Sequence, residues 1–230
     1  DIKLKFEIAF MPYKASMWDS LESIWEAAKE DSDCDVHVVP IPYYDRNPDY
    51  TLGRYHYEGR EFPDYVEIVD YNTYHLEHRR PDILYIHNPY DEHNYVTSVA
   101  PQYYSYKLKE YTEQLVYVPY CVYEEPALPD SRQTIEFCSR YVSSGILNAD
   151  KVILQSENFR RAVINALLAY RGMDREFWEK KIVALGSPKY DKVIHEDIDK
   201  LSIPNEWEGR IKRPDGSRKQ VVIYNTSLNA

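Results

Sequence analysis

The densest run of chemically capable side chains is His87-Asn88-Pro89-Tyr90-Asp91-Glu92-His93-Asn94, directly after the apolar stretch Ile83-Leu84-Tyr85-Ile86. A histidine at a strand end suits proton abstraction near neutral pH, with Asp91 placed to orient its ring. Asn88 and Tyr90 offer hydrogen bonds to a hydroxylated substrate. The same residues also make an ordinary buried turn, in which His and Asn satisfy loop carbonyls and Pro-Tyr-Asp supplies turn chemistry. His87, Asp91 and His93 match no standard metal-ligand spacing, so no metal is expected. His75-x-x-His78, set among Glu77, Arg79 and Arg80, reads as a solvated face.

Three further loops carry polar chemistry. Pro12-Tyr13-Lys14-Ala15-Ser16 runs from a strand into a helix start, where free N–H groups and the helix dipole favour an anion and Lys14 adds a point charge. Ser16 with Asp19 three residues on has the form of a capping box. Pro119-Tyr120-Cys121-Val122-Tyr123-Glu124-Glu125 places Tyr120 as a substrate contact. Its two adjacent carboxylates point in different directions and read as surface acids. Gly186-Ser187-Pro188-Lys189 puts a glycine where backbone must approach something closely, with Ser187 and Lys189 as binding groups; its alternative is a turn stiffened by Pro188. Gln155-Ser156-Glu157-Asn158 is a helix-start signal. Neither Gly-x-Gly-x-x-Gly nor a P-loop occurs, which argues against an NAD or ATP enzyme of the common kinds and leaves no cofactor expected in this chain.

The elements that position these loops alternate. Apolar, β-branched runs predict strands over 4–11, 35–41, 66–69, 83–87, 115–118, 151–155 and 182–185. Helical patterns fall between them: one from Ser16 with the stripe Met17, Leu21, Ile24, Trp25 and Ala28, and others over 102–112, 132–143, 158–170 and 175–181. This order implies parallel βαβ units in an open, doubly wound, Rossmann-like sheet, whose ligands lie beyond the carboxyl ends of the strands. The Tyr-, Asp- and Arg-rich segment 43–63 reads as a surface insertion, and 204–219, carrying Gly209, Pro214 and Gly216, as a linker. A new apolar run, Val221-Val222-Ile223-Tyr224, follows it. The expected organisation is a Rossmann-like domain over 1–203, the linker over 204–219, and over 220–230 the first strand of a second domain that the chain does not contain.

A hydrophobic content of 43% over 230 residues supports one sizeable core. The net charge of −10 argues against nucleic acid as a partner. Cys34, Cys121 and Cys138 are odd in number and far apart, which fits thiols in a reducing compartment better than a disulfide frame. No run is long and apolar enough to span a bilayer. The expected location is the cytoplasm, or the inner face of the membrane as a peripheral protein.

The order of the last segments resembles a known family. Ala149-Asp150-Lys151-Val152-Ile153-Leu154-Gln155-Ser156-Glu157, a helix, Ile182-Val183-Ala184-Leu185-Gly186-Ser187-Pro188-Lys189-Tyr190-Asp191-Lys192-Val193, a linker, and Lys219-Gln220-Val221-Val222-Ile223-Tyr224-Asn225-Thr226-Ser227 is similar to a stretch of the CDP-glycerol glycerophosphotransferases of teichoic-acid synthesis. That family ends a strand in Gly-x-Pro-Arg-Asn-Asp before its domain switch and opens its second domain with Ile-Leu-Tyr-Ala-Pro-Thr. The resemblance implies a GT-B arrangement of two Rossmann-like domains, this chain being the acceptor-side half. A donor nucleotide such as CDP-glycerol would be held in the missing domain, and a cell-envelope polymer or lipid-linked acceptor would be the partner. The family also places Trp-His-Gly-Thr-Pro after the strand equivalent to 115–118. Val118-Pro119-Tyr120-Cys121 stands there, without a histidine. Either the reaction differs, or His87 on the neighbouring strand is the base, or the acceptor is another one. The alternative function is a non-enzymatic sensor or binding domain for a sugar or polyol phosphate.

Overall fold

The computed structural model describes residues 5–195 and 204–222. The strands are β1 (Phe6–Phe10), β2 (Cys34–Val38), β3 (Tyr43–Arg46), β4 (Leu52–His56), β5 (Ile83–Ile86), β6 (Thr97–Val99), β7 (Gln114–Tyr117), β8 (Lys151–Leu154) and β9 (Ile182–Ala184). The α-helices are α1 (Glu22–Glu30), α2 (Leu76–Arg79), α3 (Ser105–Leu108), α4 (Arg132–Cys138), α5 (Ser144–Asn148), α6 (Glu157–Arg171), α7 (Arg175–Lys181), α8 (Pro188–His195) and α9 (Asn205–Ile211). The main sheet has the order β2-β1-β5-β7-β8-β9 and every pair in it is parallel. It is the doubly wound, Rossmann-like α/β sheet that the alternation of elements implies.

Side-chain alternation along the strands builds two cores. Ala9 of β1, Leu84 and Ile86 of β5, and Leu115 and Tyr117 of β7 face one side, where α6 packs through Phe159, Ala162, Val163, Ala166 and Leu167. Ile8 and Phe10, Ile83 and Tyr85, and Val116 face the other, against Trp18, Leu21 and Trp25. A parallel strand buried on both faces reads as a continuous apolar run, which is why these strands are legible. Helix α6 has clear punctuation as well: the Ser156 hydroxyl accepts from Phe159 N–H at 3.0 Å, and Gly172 closes it at φ 69°, where a glycine carries no steric penalty.

The sheet order reverses between β1 and β5. The chain goes from β1 outward to β2 and then returns past β1 to β5, which makes the carboxyl ends of β1 and β5 the switch point of the topology. The expected strand over 66–69 is reduced to one parallel bridge, Ile68 to Val38, at the sheet edge.

Two other expectations need correction. Segment 43–63 is no mere insertion: β3 and β4 form a hairpin and, with β6, a three-stranded antiparallel sheet of order β4-β3-β6. Its alternation is tyrosine-rich rather than aliphatic, which masks the strand period. Nor does Ser16 cap an α-helix. A 3-10 helix runs over Ala15–Ser20 from Lys14, without a side-chain cap, and α1 begins only at Glu22.

The chain divides into two compact units, 1–194 and 195–230. The second contains α9, inside the expected linker, and an antiparallel bridge between Lys212 and Arg218 around Gly216. Of the strand expected over 220–230, Gln220, Val221 and Val222 carry no regular structure, and 223–230 lie outside the described residues. No helix among the described residues is long and apolar enough to cross a membrane.

Candidate functional site

His87 follows Ile86, and strand alternation sends it to the face shared by Ile83 and Tyr85, beneath the 3-10 helix. It is completely buried. Tyr13 N–H lies 3.1 Å from Nε2 and can only donate, so Nε2 is the acceptor and Nδ1 carries the hydrogen. Nδ1 then donates to the Ser20 hydroxyl at 3.0 Å, which passes its own hydrogen to the Met17 carbonyl at 2.7 Å. Burial first, and the nearby Lys189 charge as well, push the His87 pKa down to about 3. The ring is therefore neutral, and neither nitrogen is open to a substrate proton in this conformation. What it does is lock the turn after β1 to the end of β5.

Asn88 alternates to the opposite face, where it meets Asp91 at 3.4 Å. Asp91 is buried at φ 46°, an uncommon conformation for a residue with a Cβ. Its carboxylate accepts from Ser105 N–H at 3.0 Å and from the Ser105 hydroxyl at 2.5 Å, at the start of α3. Asn148 of α5 adds a bond to the same hydroxyl at 2.8 Å. Burial raises the Asp91 pKa to about 6 against the lowering by Ser105. Asp91 and His87 thus lie in separate hydrogen-bond networks on opposite faces, and the carboxylate does not orient the ring. Tyr90, half-buried between them in sequence, has its carbonyl bonded by Ser144 at 3.4 Å.

The turn after β1 holds an anion of the protein's own. Glu58, just beyond β4, accepts from Ala15 N–H at 2.8 Å and from the Tyr43 hydroxyl at 2.5 Å. The Lys14 ammonium lies 5.0 Å from the centre of the Tyr43 ring. Ser16 is exposed beside it. Glu58 carried no signal in the sequence, because a glutamate in a polar segment is ordinary.

Tyr120 packs edge-on against both Tyr13 and His87, with ring centres 6.4 and 6.0 Å away. Desolvation raises its phenol pKa, and that of Tyr13 reaches about 12 for the same leading reason. Both hydroxyls therefore stay protonated at neutral pH.

The loop after β9 is different in kind. Gly186 has φ 102°, a conformation that a side chain would oppose. The Ser187 hydroxyl is buried without a hydrogen-bond partner among the described residues. Gly186 and Ser187 form the wall between two clefts. The narrower is lined also by Pro119, Cys121, Tyr123 and Gln155, and the more open, of about 130 Å3, by Ser23, Ile24 and Asp191. Lys189 reaches back to Asp19 at 2.6 and 2.7 Å, and Asp191 accepts from Ser23 at 2.6 Å. These links tie α8 to the segment that follows β1. Gln155, which lay in a helix-start motif, turns out to brace the loop after β7 by bonds with Tyr123 N–H and carbonyl at 2.7 and 2.8 Å. No group of three or more His, Cys, Asp or Glu among the described residues is arranged to hold a metal ion.

No protein-family model and no curated protein matches the chain. Among solved structures it is similar to a UDP-N-acetylglucosamine 2-epimerase, with 11% identity and a TM-score of 0.49 over 90% of this chain and 56% of that one. A Staphylococcus aureus MnaA–UDP co-structure aligns at 12% identity and TM-score 0.46, over 90% of this chain and 51% of that one. The UDP-N-acetylglucosamine 2-epimerase of Rickettsia bellii aligns at 14% identity and TM-score 0.40, over 87% and 52%. The chain thus spans about half the length of these structures.

Proposed function

We propose that this chain is the acceptor-binding half of a two-domain GT-B transferase. It would act in the transfer of a glycerophosphate, polyol phosphate or sugar from a nucleotide donor to a cell-envelope polymer or lipid-linked acceptor, with the donor held in a second domain. The observation that carries the reading is the unpaired Ser187 hydroxyl between two clefts at the carboxyl edge, beside the positive-φ Gly186 and near Lys189 and Cys121. In a parallel α/β sheet that edge is where ligands bind, and a buried hydroxyl without a partner has an unmet hydrogen-bonding requirement that a substrate hydroxyl or phosphate oxygen would meet.

In this reading Gly186, Ser187, Lys189 and Tyr120 contact substrate. Lys14, Ser16, Asn88 and Tyr90 form the surrounding wall, and His87 and Asp91 hold the loops in position. Attack by an acceptor hydroxyl then needs a base from elsewhere, the second domain included. The closed hydrogen-bonding of His87 also favours a second reading, a binding domain without catalysis, because both nitrogens of that imidazole are already engaged.

Incubating the full-length protein with CDP-glycerol and a polyol phosphate acceptor separates the two. Turnover that falls at least about tenfold in Ser187→Ala and Lys189→Ala supports the transferase. Acceptor binding without turnover supports the binding domain, and neither binding nor turnover overturns both.

A further inference from the structure

A second cluster sits at the opposite, amino edge of the sheet. Lys109 follows α3, Lys151 opens β8, and Lys180 and Lys181 end α7 where β9 begins. With Leu147, Asp150 and Phe177 they line an open cleft of about 300 Å3. Across the whole chain 38 acidic residues outnumber 28 basic ones, so four lysines around one cleft run against the overall charge.

Much of this cationic charge is unanswered. Asp150 accepts from Lys109 at 2.7 Å but also from Leu115 N–H at 3.0 Å, and Glu176 pairs with Lys180 at 2.6 Å. Among the described residues Lys151 and Lys181 each hydrogen-bond only a carbonyl, that of Lys180 and that of Leu147, both at 2.7 Å. Neutralising helix C-termini explains one bond apiece. An ammonium has three donors, and that explanation leaves the others unused. Lys181 is 7% exposed, with its ammonium 5.8 and 5.5 Å from the ring centres of Phe177 and Trp178. Its pKa falls to about 8, through burial first and then the charge of Lys109. Asp150 opposes this fall, but its carboxylate is already shared between Lys109 and Leu115 N–H, so the buried Lys181 ammonium has only part of a counter-charge. Phe177, 41% exposed, adds an apolar wall.

We propose that this cleft is a binding site for a phosphate monoester, with the phosphate among Lys109, Lys151 and Lys181 and the organic part against Phe177. Lysines hold phosphate as point charges, and an aromatic wall adds contact for a ring or a chain. The site is separate from the proposed acceptor edge, since it lies at the opposite ends of the same strands.

The test is NMR titration of the isotopically labelled full chain with inorganic phosphate and, separately, with AMP, at ionic strength held constant with chloride. Shifts should concentrate at Lys109, Asp150, Lys151, Phe177 and Lys181, with AMP bound more tightly than phosphate. Lys109→Gln combined with Lys151→Gln should weaken binding about tenfold, one decade per roughly 1.4 kcal/mol. Lys180→Gln, at an exposed position, provides a milder variant that should fold and weaken binding about twofold. Lys189→Ala, at the other edge, should leave affinity unchanged, so that failure of the proposed function and failure of this site are told apart. Shifts no larger than those with chloride, shifts centred on Gly186 to Lys189, or affinities unchanged in all lysine variants of the cleft would overturn the proposal.

Discussion

The corner around His87 and the corner around Ser187 lie on the same edge of one sheet and differ in polar completeness. At His87 the chain Tyr13 N–H, imidazole, Ser20 hydroxyl and Met17 carbonyl is closed, with every member bonded to another. At Ser187 the hydroxyl is buried and has no partner among the described residues, and the backbone beside it is held in a conformation that favours glycine. A closed network contributes to folding and resists rearrangement, whereas an open one is stabilised when a ligand completes it. The residue type with the greater catalytic reputation is therefore the one engaged in structure here. The plain serine is the one with bonding capacity left.

Substitution should separate the two corners most strongly. His87→Ala removes a buried ring, orphans Tyr13 N–H and takes from the Ser20 oxygen the donor it accepts, so a loss of about 3–4 kcal/mol is expected, read as a lower urea midpoint. Ser187→Ala removes a hydroxyl without a partner among the described residues and should change stability by less than about 0.5 kcal/mol, or raise it slightly. Equal losses in the two variants would break the contrast.

The pH dependence of stability comes next in size, and the two buried titratable groups work in opposite directions. His87 is held neutral, with its pKa lowered to about 3. The unfolded chain binds its proton near the ordinary value of about 6.5, so this contribution is complete above that pH and is lost as pH falls toward 3. Asp91 has a pKa raised to about 6. Its contribution is complete below the ordinary value of about 3.9 and is lost as pH rises through 6. Urea midpoints between pH 4 and 8 should fall on the acid side less steeply in His87→Gln than in the parent. Between pH 4 and 6 the two contributions oppose each other, so Asp91→Asn should make the midpoint rise with pH more steeply than in the parent. An Asp91→Asn variant with an unaltered slope would mean that Ser105 stabilises the ionised form more than burial opposes it.

How much of this could be read beforehand follows from what each signal encodes. The parallel sheet was legible because strands buried on both faces are continuous apolar runs, as at Ile83 to Ile86 and Leu115 to Val118. The face of His87 was implicit in the same period, since it follows Tyr85 by two residues, and Tyr85 is in the core on the α1 side. Reading the period one step past the strand end would have sent His87 under the 3-10 helix and Asn88 to the other side. Its partners were not legible. Ser20 lies 67 residues away, and Glu58 reaches the turn after β1 from a separate sheet. Long-range polar pairing leaves no local periodicity. The β3–β4 hairpin was obscured because its alternating residues are mostly tyrosine and charged groups. The loop after β9 was readable from Gly186, whose backbone requirement is local, although nothing in the sequence marked the Ser187 hydroxyl as unpaired.

The smallest expected effect sharpens the comparison at a third point, the turn after β1. Glu58 already gives Ala15 N–H a carboxylate, and it also holds the Tyr43 hydroxyl. The turn is thus a saturated site like that of His87, but its partner comes from a segment outside the main sheet. Glu58→Gln keeps one carbonyl oxygen and loses the charge, so a stability loss of about 0.5–1 kcal/mol is expected. The more telling readout is anion binding: in the parent, phosphate should leave the amides of Ala15 to Met17 unmoved, because the carboxylate occupies the donor and repels a second anion. In Glu58→Gln that repulsion is gone and Lys14 remains, so millimolar phosphate should move the same amides. Movement of these amides in the parent itself would show that Glu58 yields its place to a ligand, and would class this turn with the open corner at Ser187 rather than with the closed one at His87.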